Sequence, residues 1–278
     1  MNIQTVTKRQ PEVLKFVANG QGESFWWKGG SCIVFKVDAS YSDGVYALTE
    51  ARIVEGGGVS PHMHPHEVEA FYMLDGSIEV RVGSHTFDAK SGDFVSIPKN
   101  VAHEFWNRGP EEANFINPFA PAGLEQMFRK GGVPRWTHPH PPEDNEERFQ
   151  AATAAASSFG TVGKPDELSW QDREGLVISA SAERGPGLHT LAVIPVEGGD
   201  CVCSEAVVAH GSALALGDVL GENVSVFVVE GSGETTCGIP FSQGDTLAFG
   251  MKDGVSLRAG VNGLRLFLLS VQQGIAGS

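Results

Sequence analysis

Residues 56–76 read GGGVSPHMHPHEVEAFYMLDG and combine a strong β-strand signal with a high density of histidine and glutamate. The run EAFYML is rich in β-forming residues, and the dipeptide Asp75-Gly76 favours a tight hairpin turn into the alternating run SIEVRV. Alternate side chains of an extended strand share a face, so His62 and His64 are expected to point the same way. The stretch therefore predicts a β hairpin that carries metal-binding groups on one face.

A second cluster, GDFVSIPKNVAHEFWN, adds one more histidine to this set. The candidate metal ligands are His62, His64, Glu69 and His103. Three imidazoles and one carboxylate suit a mid-to-late first-row divalent metal, and four protein ligands leave one or two positions of the ion open for substrate. By strand alternation Glu69 shares its face with Phe71 and Met73. The same rule places Phe105 on the face of His103, which predicts an apolar pocket suited to a flat aromatic or polyketide-like substrate.

Short β-rich runs recur from about residue 25 to residue 121, each bounded by Gly, Pro or Asn, which predicts a small barrel or jelly roll. The sequence pattern then changes from β-rich to helix-forming runs. GLEQMFRKG has one apolar helical face, and EERFQAATAAASS has high helix propensity. Strand-like runs resume near Leu168. The chain is therefore predicted to be all-β, with two jelly-roll barrels joined by a partly helical linker. The expected division is an N-terminal arm (1–24), a first barrel (25–121), a linker (122–165) and a second barrel (166–278).

The two predicted barrels repeat the same short motifs, which indicates duplication of a whole domain. YMLDG in the first half resembles FVVEG in the second, and SGDF resembles QGDT. Aligning these turns places Val224 at the position of Glu69. Aligning Gly92 with Gly244 places Val255 at the position of His103, and no histidine follows His210. The second barrel is therefore predicted to hold no metal, and one divalent ion per chain is expected.

The bulk composition narrows the classes of partner. The 278 residues carry a formal net charge of -14, and no cluster of Lys and Arg reaches the density that phosphate binding requires, so a nucleic-acid partner is not expected. No apolar run approaches the length of a membrane span, and the N-terminal residues lack the apolar core of a secretory signal. The four cysteines show no zinc-type spacing and are interpreted as unpaired thiols. A cytoplasmic protein without nucleic-acid or membrane partners is therefore predicted.

A set of glycine, histidine, glutamate, proline and asparagine positions at fixed spacing makes the chain similar to the cupin family. These positions are Gly56, His62, His64, Glu69 and Gly76 in the first cupin motif, and Gly92, Pro98, His103 and Asn107 in the second. Asn100 stands where a glycine is usual, and because Asn tolerates a left-handed conformation, the turn is still expected to form. Through EAFYMLDG, HEFWN, PAGLEQMF and PPEDNEERF the chain resembles the bicupins, and among them the flavonol-cleaving quercetin dioxygenases.

This resemblance implies a metal inside the first barrel, held by the four candidate ligands. It implies that Glu69 also acts as the base that takes a proton from an enolic hydroxyl of the substrate, before reaction with O₂ opens the ring and releases carbon monoxide. Phe71 and Phe105 match positions that contact substrate in that family. Fe(II) is the favoured metal, with Mn, Ni, Co, Cu and Zn as alternatives. The predicted function is a metal-dependent dioxygenase that acts on an enolic or phenolic, flavonol-like molecule.

Other functions are compatible with the same four ligands. A cupin isomerase, epimerase, decarboxylase or polyketide cyclase would use the metal as a Lewis acid on a carbonyl or an enolate, without consuming oxygen. A non-catalytic small-molecule-binding protein is a third class. His66 and Glu67 are alternative ligands, although a loop position beside the site is the favoured interpretation. Trp26 and Trp27 either cover the barrel mouth or simply pack, and a homodimer through edge strands is compatible with the sequence.

Overall fold

The computed structural model describes residues 13–179, 184–197, 199–217, 222–250 and 255–273. Residues 1–12 of the predicted N-terminal arm lie outside this part of the chain. The helical elements are α1 (Ala39–Ser42), α2 (Gln126–Gly131), α3 (Glu146–Ser158) and two 3₁₀ turns, Lys28–Gly30 and Pro165–Glu167. Across the described ranges, no helix has the length and apolar character needed to cross a membrane.

The rest of the regular structure is β, as the sequence predicts. The strands of the first half are β1 (Val13–Val17), β2 (Ser24–Trp26), β3 (Cys32–Val37), β4 (Ala47–Ile53), β5 (Gly58–His62), β6 (Val68–Asp75), β7 (Ser77–Val82), β8 (His85–Lys90), β9 (Phe94–Ile97), β10 (His103–Trp106), β11 (Ala113–Ala120) and β12 (Val133–Pro134). Those of the second half are β13 (Val177–Ser179), β14 (Gly187–Val196), β15 (Gly199–Val208), β16 (Ala213–Ala215), β17 (Glu222–Thr235), β18 (Pro240–Ser242), β19 (Thr246–Phe249) and β20 (Ser256–Gln273).

Two antiparallel sheets form the first barrel. The larger has the strand order β12-β2-β3-β4-β11-β6-β9-β13, and the smaller has the order β5-β10-β7-β8. Their inward faces supply one apolar core, which includes Phe71 and Phe115 from the larger sheet and Val80 and Phe105 from the smaller. Strand β6 alternates as predicted, because Phe71 enters this core whereas Tyr72 packs towards the second barrel.

The second barrel is built on an eight-stranded sheet. Six of its strands follow the order β1-β19-β17-β20-β15-β14, while β16 pairs with β20 and β18 pairs with β17. Its interior is a cluster of aliphatic and aromatic side chains. The two valines that align with metal ligands of the first barrel, Val224 and Val255, are both buried in this cluster. Because a valine side chain offers no donor atom to a metal, these positions contribute packing where the first barrel has ligands.

The two barrels are held together by strand exchange and by an apolar interface. Strand β1 pairs with β19 of the second barrel, and β13, which follows the linker, pairs with β9 of the first. At the interface the ring of Tyr72 lies 5.1 Å from that of Phe267, and the Tyr72 hydroxyl donates to Glu205 Oε2 at 3.1 Å. The outward face of β6 is thus buried by the second barrel, as its apolar residues require.

Two asparagines of the second motif fix the loops around the first barrel. Asn100 has φ of 60°, the left-handed conformation expected for it, and its amide donates to His64 O at 2.9 Å. Asn107 is fully buried, and its Nδ2 donates to Ile53 O at 2.9 Å and to Glu111 O at 2.7 Å. Asn100 is therefore bonded to the backbone of a candidate ligand, whereas Asn107 joins the end of β4 to the loop before β11.

Candidate metal centre

The four candidate ligands meet in the interior of the first barrel. His62 ends β5 and pairs in register with His103 of β10 in the smaller sheet, while Glu69 comes from β6 of the larger sheet. One potential donor atom from each of His62, His64, Glu69 and His103 lies within 4.8 Å of the others, and all four residues are buried. The two sheets thus bring together side chains that are up to 41 positions apart in the sequence.

The Nε2 atoms of the three histidines converge on one carboxylate oxygen. Glu69 Oε2 lies 2.9 Å from His103 Nε2, 3.2 Å from His64 Nε2 and 4.0 Å from His62 Nε2. Three imidazole nitrogens and one carboxylate oxygen in so small a volume form a donor set that fits a mid-to-late first-row divalent ion. With the ligand number below six, such a centre keeps room for a substrate oxygen.

Each histidine is also fixed through its other ring nitrogen. Nδ1 of His62 lies 2.9 Å from Ser60 O, and Nδ1 of His103 lies 3.0 Å from Val101 O. Nδ1 of His64 lies 3.3 Å from the hydroxyl of Thr161, a residue of the linker. When Nδ1 carries the proton and donates to these oxygens, Nε2 presents its lone pair to a metal. The carbonyl contacts of His62 and His103 therefore favour the tautomer that metal binding requires, and the Thr161 hydroxyl is compatible with the same tautomer of His64.

Ionisation of the cluster also suits metal binding. Burial alone would raise the pKa of Glu69, but hydrogen bonds and charges from His103 and His64 hold it well below its usual range. Burial, together with the neighbouring His103 and His64, lowers the pKa of His62 well below its usual value. Glu69 is thus a carboxylate and His62 a neutral imidazole at neutral pH, which are the forms that ligate metals. Asn117 Nδ2 donates to Glu69 Oε1 at 3.1 Å and orients the carboxylate.

A cavity of about 310 Å³ opens beside these ligands, with His62, His64 and Glu69 in its wall. Its aromatic lining consists of Trp27, Phe105, Phe115, Phe119, Phe128 and Phe149. Phe105, named from the sequence as a pocket residue, therefore lies on the cavity. Phe71 and Met73, named with it, belong to the fully buried core instead, where the Phe71 ring packs 5.2 Å from that of Phe105.

Part of the cavity wall comes from the linker, which the sequence presents only as a connector. Helix α3 contributes Phe149, Thr153 and Ser157 to the lining, and Thr161 follows a few residues later. Trp27 also lines the cavity and stacks edge-on against Phe128, at 5.0 Å between ring centroids. The linker therefore shapes the pocket and, through the contact of Thr161 with His64, supports one ligand.

Three further residues weighed from the sequence are also placed. His66 is exposed and Glu67 is buried, and neither belongs to the cluster of converging donor atoms. Trp26 is not part of the cavity lining, and its Nε1 donates to His138 O at 2.7 Å. Of the two neighbouring tryptophans, Trp27 thus lines the cavity whereas Trp26 fastens the linker.

The contact between Thr161 and His64 gives a testable consequence. Replacing Thr161 with Val removes the hydroxyl at nearly constant volume, and we expect metal affinity to fall roughly tenfold, because partners of a metal-binding histidine typically contribute that much. The measurement is competition for the metal against a chromogenic chelator. Thr153→Val makes the same change on the cavity wall without touching a ligand, and should leave affinity unchanged. Equal losses in the two variants would contradict the assignment.

Comparison with known proteins agrees with this fold. Residues 49–119 match the family model described as Cupin domain. Quercetin 2,3-dioxygenase of Aspergillus japonicus is 32% identical over 139 residues, which cover 46% of this chain and 39% of that protein. Polyketide synthase CurC of Streptomyces cyaneus is 35% identical over 69 residues, which cover 24% of this chain and 45% of that protein. Over residues 49–119 the chain is therefore similar to the cupin domain, and over part of its length it resembles the quercetin dioxygenases.

The structural comparison extends the likeness to both barrels. The crystal structure of the bacterial pirin YhhW from Escherichia coli, in complex with nickel(II), superimposes with a TM-score of 0.60 at 13% identity, over 94% of this chain and 99% of that one. At that identity the match shows a shared fold. The alignments with curated relatives span only 32% to 54% of the length of those proteins.

Proposed function

We propose that the chain is a metal-dependent dioxygenase that cleaves an enolic or phenolic aromatic small molecule of the flavonol type. The observation that carries this proposal is the buried cluster of three histidines and one glutamate beside an aromatic-lined cavity. The partial identity to quercetin 2,3-dioxygenases supports the same chemistry. The four free cysteines favour a reducing compartment, and we propose a cytoplasmic location.

Each ligand has a separate task in the proposed reaction. A divalent ion, with Fe(II) favoured, would supply a Lewis acid for the substrate oxygen and a redox centre for O₂. His62, His64 and His103 would hold the ion through Nε2, while each Nδ1 contacts an oxygen atom of the chain. Glu69 Oε2 takes the proton of the enolic hydroxyl, while Asn117 holds Oε1 in place. The aromatic wall, with Phe105 near the ligands, packs against the substrate rings and excludes water.

A second candidate uses the same centre without oxygen. The identity to polyketide synthase CurC, which is confined to a quarter of this chain, favours a substrate of the polyketide kind. In that case the ion would polarise a carbonyl, and the same four ligands would serve an isomerase, cyclase or decarboxylase. The two candidates differ in whether oxygen is consumed.

The deciding measurement is metal content and oxygen consumption of protein purified without added metal, with quercetin as substrate. We expect about one transition-metal ion per chain, because the second barrel has valines where the ligands would be. Oxygen uptake that is lost on chelation and restored by Fe(II) would support the dioxygenase. Metal without uptake on any flavonol would favour the second candidate, and a second tightly bound ion would contradict the metal-free assignment of the second barrel.

A further inference from the structure

The cavity wall contains one cationic side chain that none of the roles above uses. Among the described residues that line the cavity, Lys28 is the only Lys or Arg. It lies in the 3₁₀ turn Lys28–Gly30 and is half-buried, whereas the four candidate ligands are 8% exposed or less. Lys28 therefore lies nearer to solvent than the candidate ligands, at the mouth of the cavity whose inner end they form.

The ammonium of Lys28 has no partner of its own within the described part of the chain, whether a carboxylate or a hydrogen-bond acceptor. Burial lowers the pKa of Lys28, and no neighbouring carboxylate acts against that effect. A cation that is partly removed from water and left unpaired is unfavourable unless something else pairs with it. An anionic group of a bound molecule would fill that role.

The turn that carries Lys28 is held in place on both sides by the linker. Gly29 N donates to Asp144 Oδ2 at 2.9 Å, and the guanidinium of Arg148 donates to Trp27 O at 3.4 Å. Asp144 and Arg148 are themselves paired at 2.7 Å. Both neighbours of Lys28 are thus bonded to Asp144 and Arg148, at and just before the first turn of α3, so the backbone from which its side chain extends is held in place. Fixed placement is what distinguishes a recognition residue from a mobile surface lysine.

The charges along the cavity point the same way. The ionisable residues of its lining are Lys28, His62, His64 and Glu69. With a divalent ion bound, the positive charges of the ion and of Lys28 exceed the single negative charge of Glu69. One enolate oxygen on the substrate would leave a positive charge unbalanced at the cavity mouth. A second anionic oxygen, remote from the metal, would balance it.

We propose that Lys28 is a specificity-determining residue that pairs with an anionic oxygen, such as a carboxylate, on the part of the substrate remote from the metal. This inference rests on the proposed function, since it assumes that the substrate binds between the metal centre and the mouth. It narrows the substrate class from neutral flavonol-like molecules to aromatic enols that carry an acidic group. Phe149, which lines the same cavity from α3, would pack against the intervening ring.

The test compares two ligands that differ only in that group: 3-hydroxyflavone and its 4′-carboxylate. Binding is measured on the zinc-loaded full chain, because zinc is redox-inert and turnover does not interfere. Trp27 lines the cavity, so quenching of tryptophan fluorescence reports occupancy. The variants are Lys28→Met, which removes the charge at similar length, and Lys28→Arg, which keeps it. Lys90→Met makes the same change on the exposed strand β8, away from the cavity.

We expect the native chain and Lys90→Met to bind the carboxylate roughly tenfold more tightly than 3-hydroxyflavone, as one charge-assisted hydrogen bond allows. Lys28→Met should lose that preference, and Lys28→Arg should keep most of it. Equal binding of the two ligands by the native chain, binding of neither, or an unchanged preference in Lys28→Met would overturn the proposal. Failure of the proposed function would appear separately, as absent metal or as absent oxygen uptake on quercetin. Neither of those measurements uses the 4′-carboxylate ligand.

Discussion

Replacement of Glu69 by Gln is expected to reduce metal-dependent oxygen uptake by at least about 100-fold, the typical contribution of a positioned general base. The amide has nearly the shape of the carboxylate and leaves an oxygen for the contact with Asn117. It carries no charge, however, and cannot take a proton from an enolic hydroxyl. His103 and His64, which lie 2.9 Å and 3.2 Å from Oε2, would also lose their anionic partner.

Two controls separate catalysis from metal loss. Metal content is measured on the same Glu69→Gln sample, and uptake is expressed per bound ion. Glu104→Gln is the matched variant, because Glu104 neighbours His103 on β10 but turns to the other face, where Glu104 Oε2 accepts from Trp106 Nε1 at 3.0 Å. It should retain full uptake. If Glu69→Gln held its metal and consumed oxygen at the native rate, Glu69 would be a ligand only, and the proton would have to leave by another route.

The candidate ligands could be predicted from the sequence because their arrangement depends on local strand geometry. His62 and His64 are two residues apart, and strand alternation predicts a shared face, although β5 ends at His62 and His64 lies just beyond it. Alternation also gives the correct face for Phe71, which enters the first core while Tyr72 faces the second barrel. Alternation does not predict, however, whether a residue on that face reaches the cavity or lies beneath other side chains. Phe71 is not part of the cavity lining, and its ring packs against those of Phe105 and Phe115, which are.

The parts that the sequence does not reveal are those that depend on long-range packing. Thr161 reaches His64 across 97 positions, and nothing in the residues near Thr161 marks it as part of a metal site. The pairing of β1 with β19 joins residues more than 220 positions apart. Helix α3 shows the same limit, because its alanine-rich sequence predicts a helix but carries no information on which surface it covers. Asn117 is a partial exception, since a polar residue inside the β-rich run ANFINPF is a signal worth following.

The sequence pattern also does not predict a buried ion pair in the first barrel. Lys36 is completely buried on β3, and its Nζ lies 2.9 Å from Oε2 of Glu50, which is itself 2% exposed on β4. The other carboxylate oxygen pairs with Arg52 at 2.9 Å. On its far side, Lys36 lies 5.8 Å from the ring of Phe227 in the second barrel. This cation therefore sits at the junction between the barrels, with Glu50 as its counter-ion.

Replacement of Glu50 by Gln should destabilise the folded chain by roughly 3–5 kcal/mol at neutral pH, because it leaves the charge of Lys36 buried and unpaired. The measurement is the urea midpoint of unfolding. Glu79→Gln is the matched control, since Glu79 pairs with Arg108 at the surface and should contribute less than about 1 kcal/mol. The double variant Glu50→Gln/Lys36→Met removes both charges and should recover most of the loss. A midpoint of Glu50→Gln equal to that of the control would show that water or another group solvates Lys36.

The same pair makes a signed prediction for acid. Burial would raise the pKa of Glu50, but the charges of Lys36 and Arg52 outweigh it and hold that pKa below its usual value. A carboxyl whose folded pKa is depressed contributes stability above its unfolded pKa, near 4.3, and loses it as pH falls through the folded value. The native chain should therefore lose more stability than Glu50→Gln between about pH 5 and pH 3, so that the gap between their urea midpoints narrows. A gap that stays constant across this range would mean that Glu50 has the same pKa in the folded and unfolded chains, and that Lys36 and Arg52 do not stabilise its ionised form.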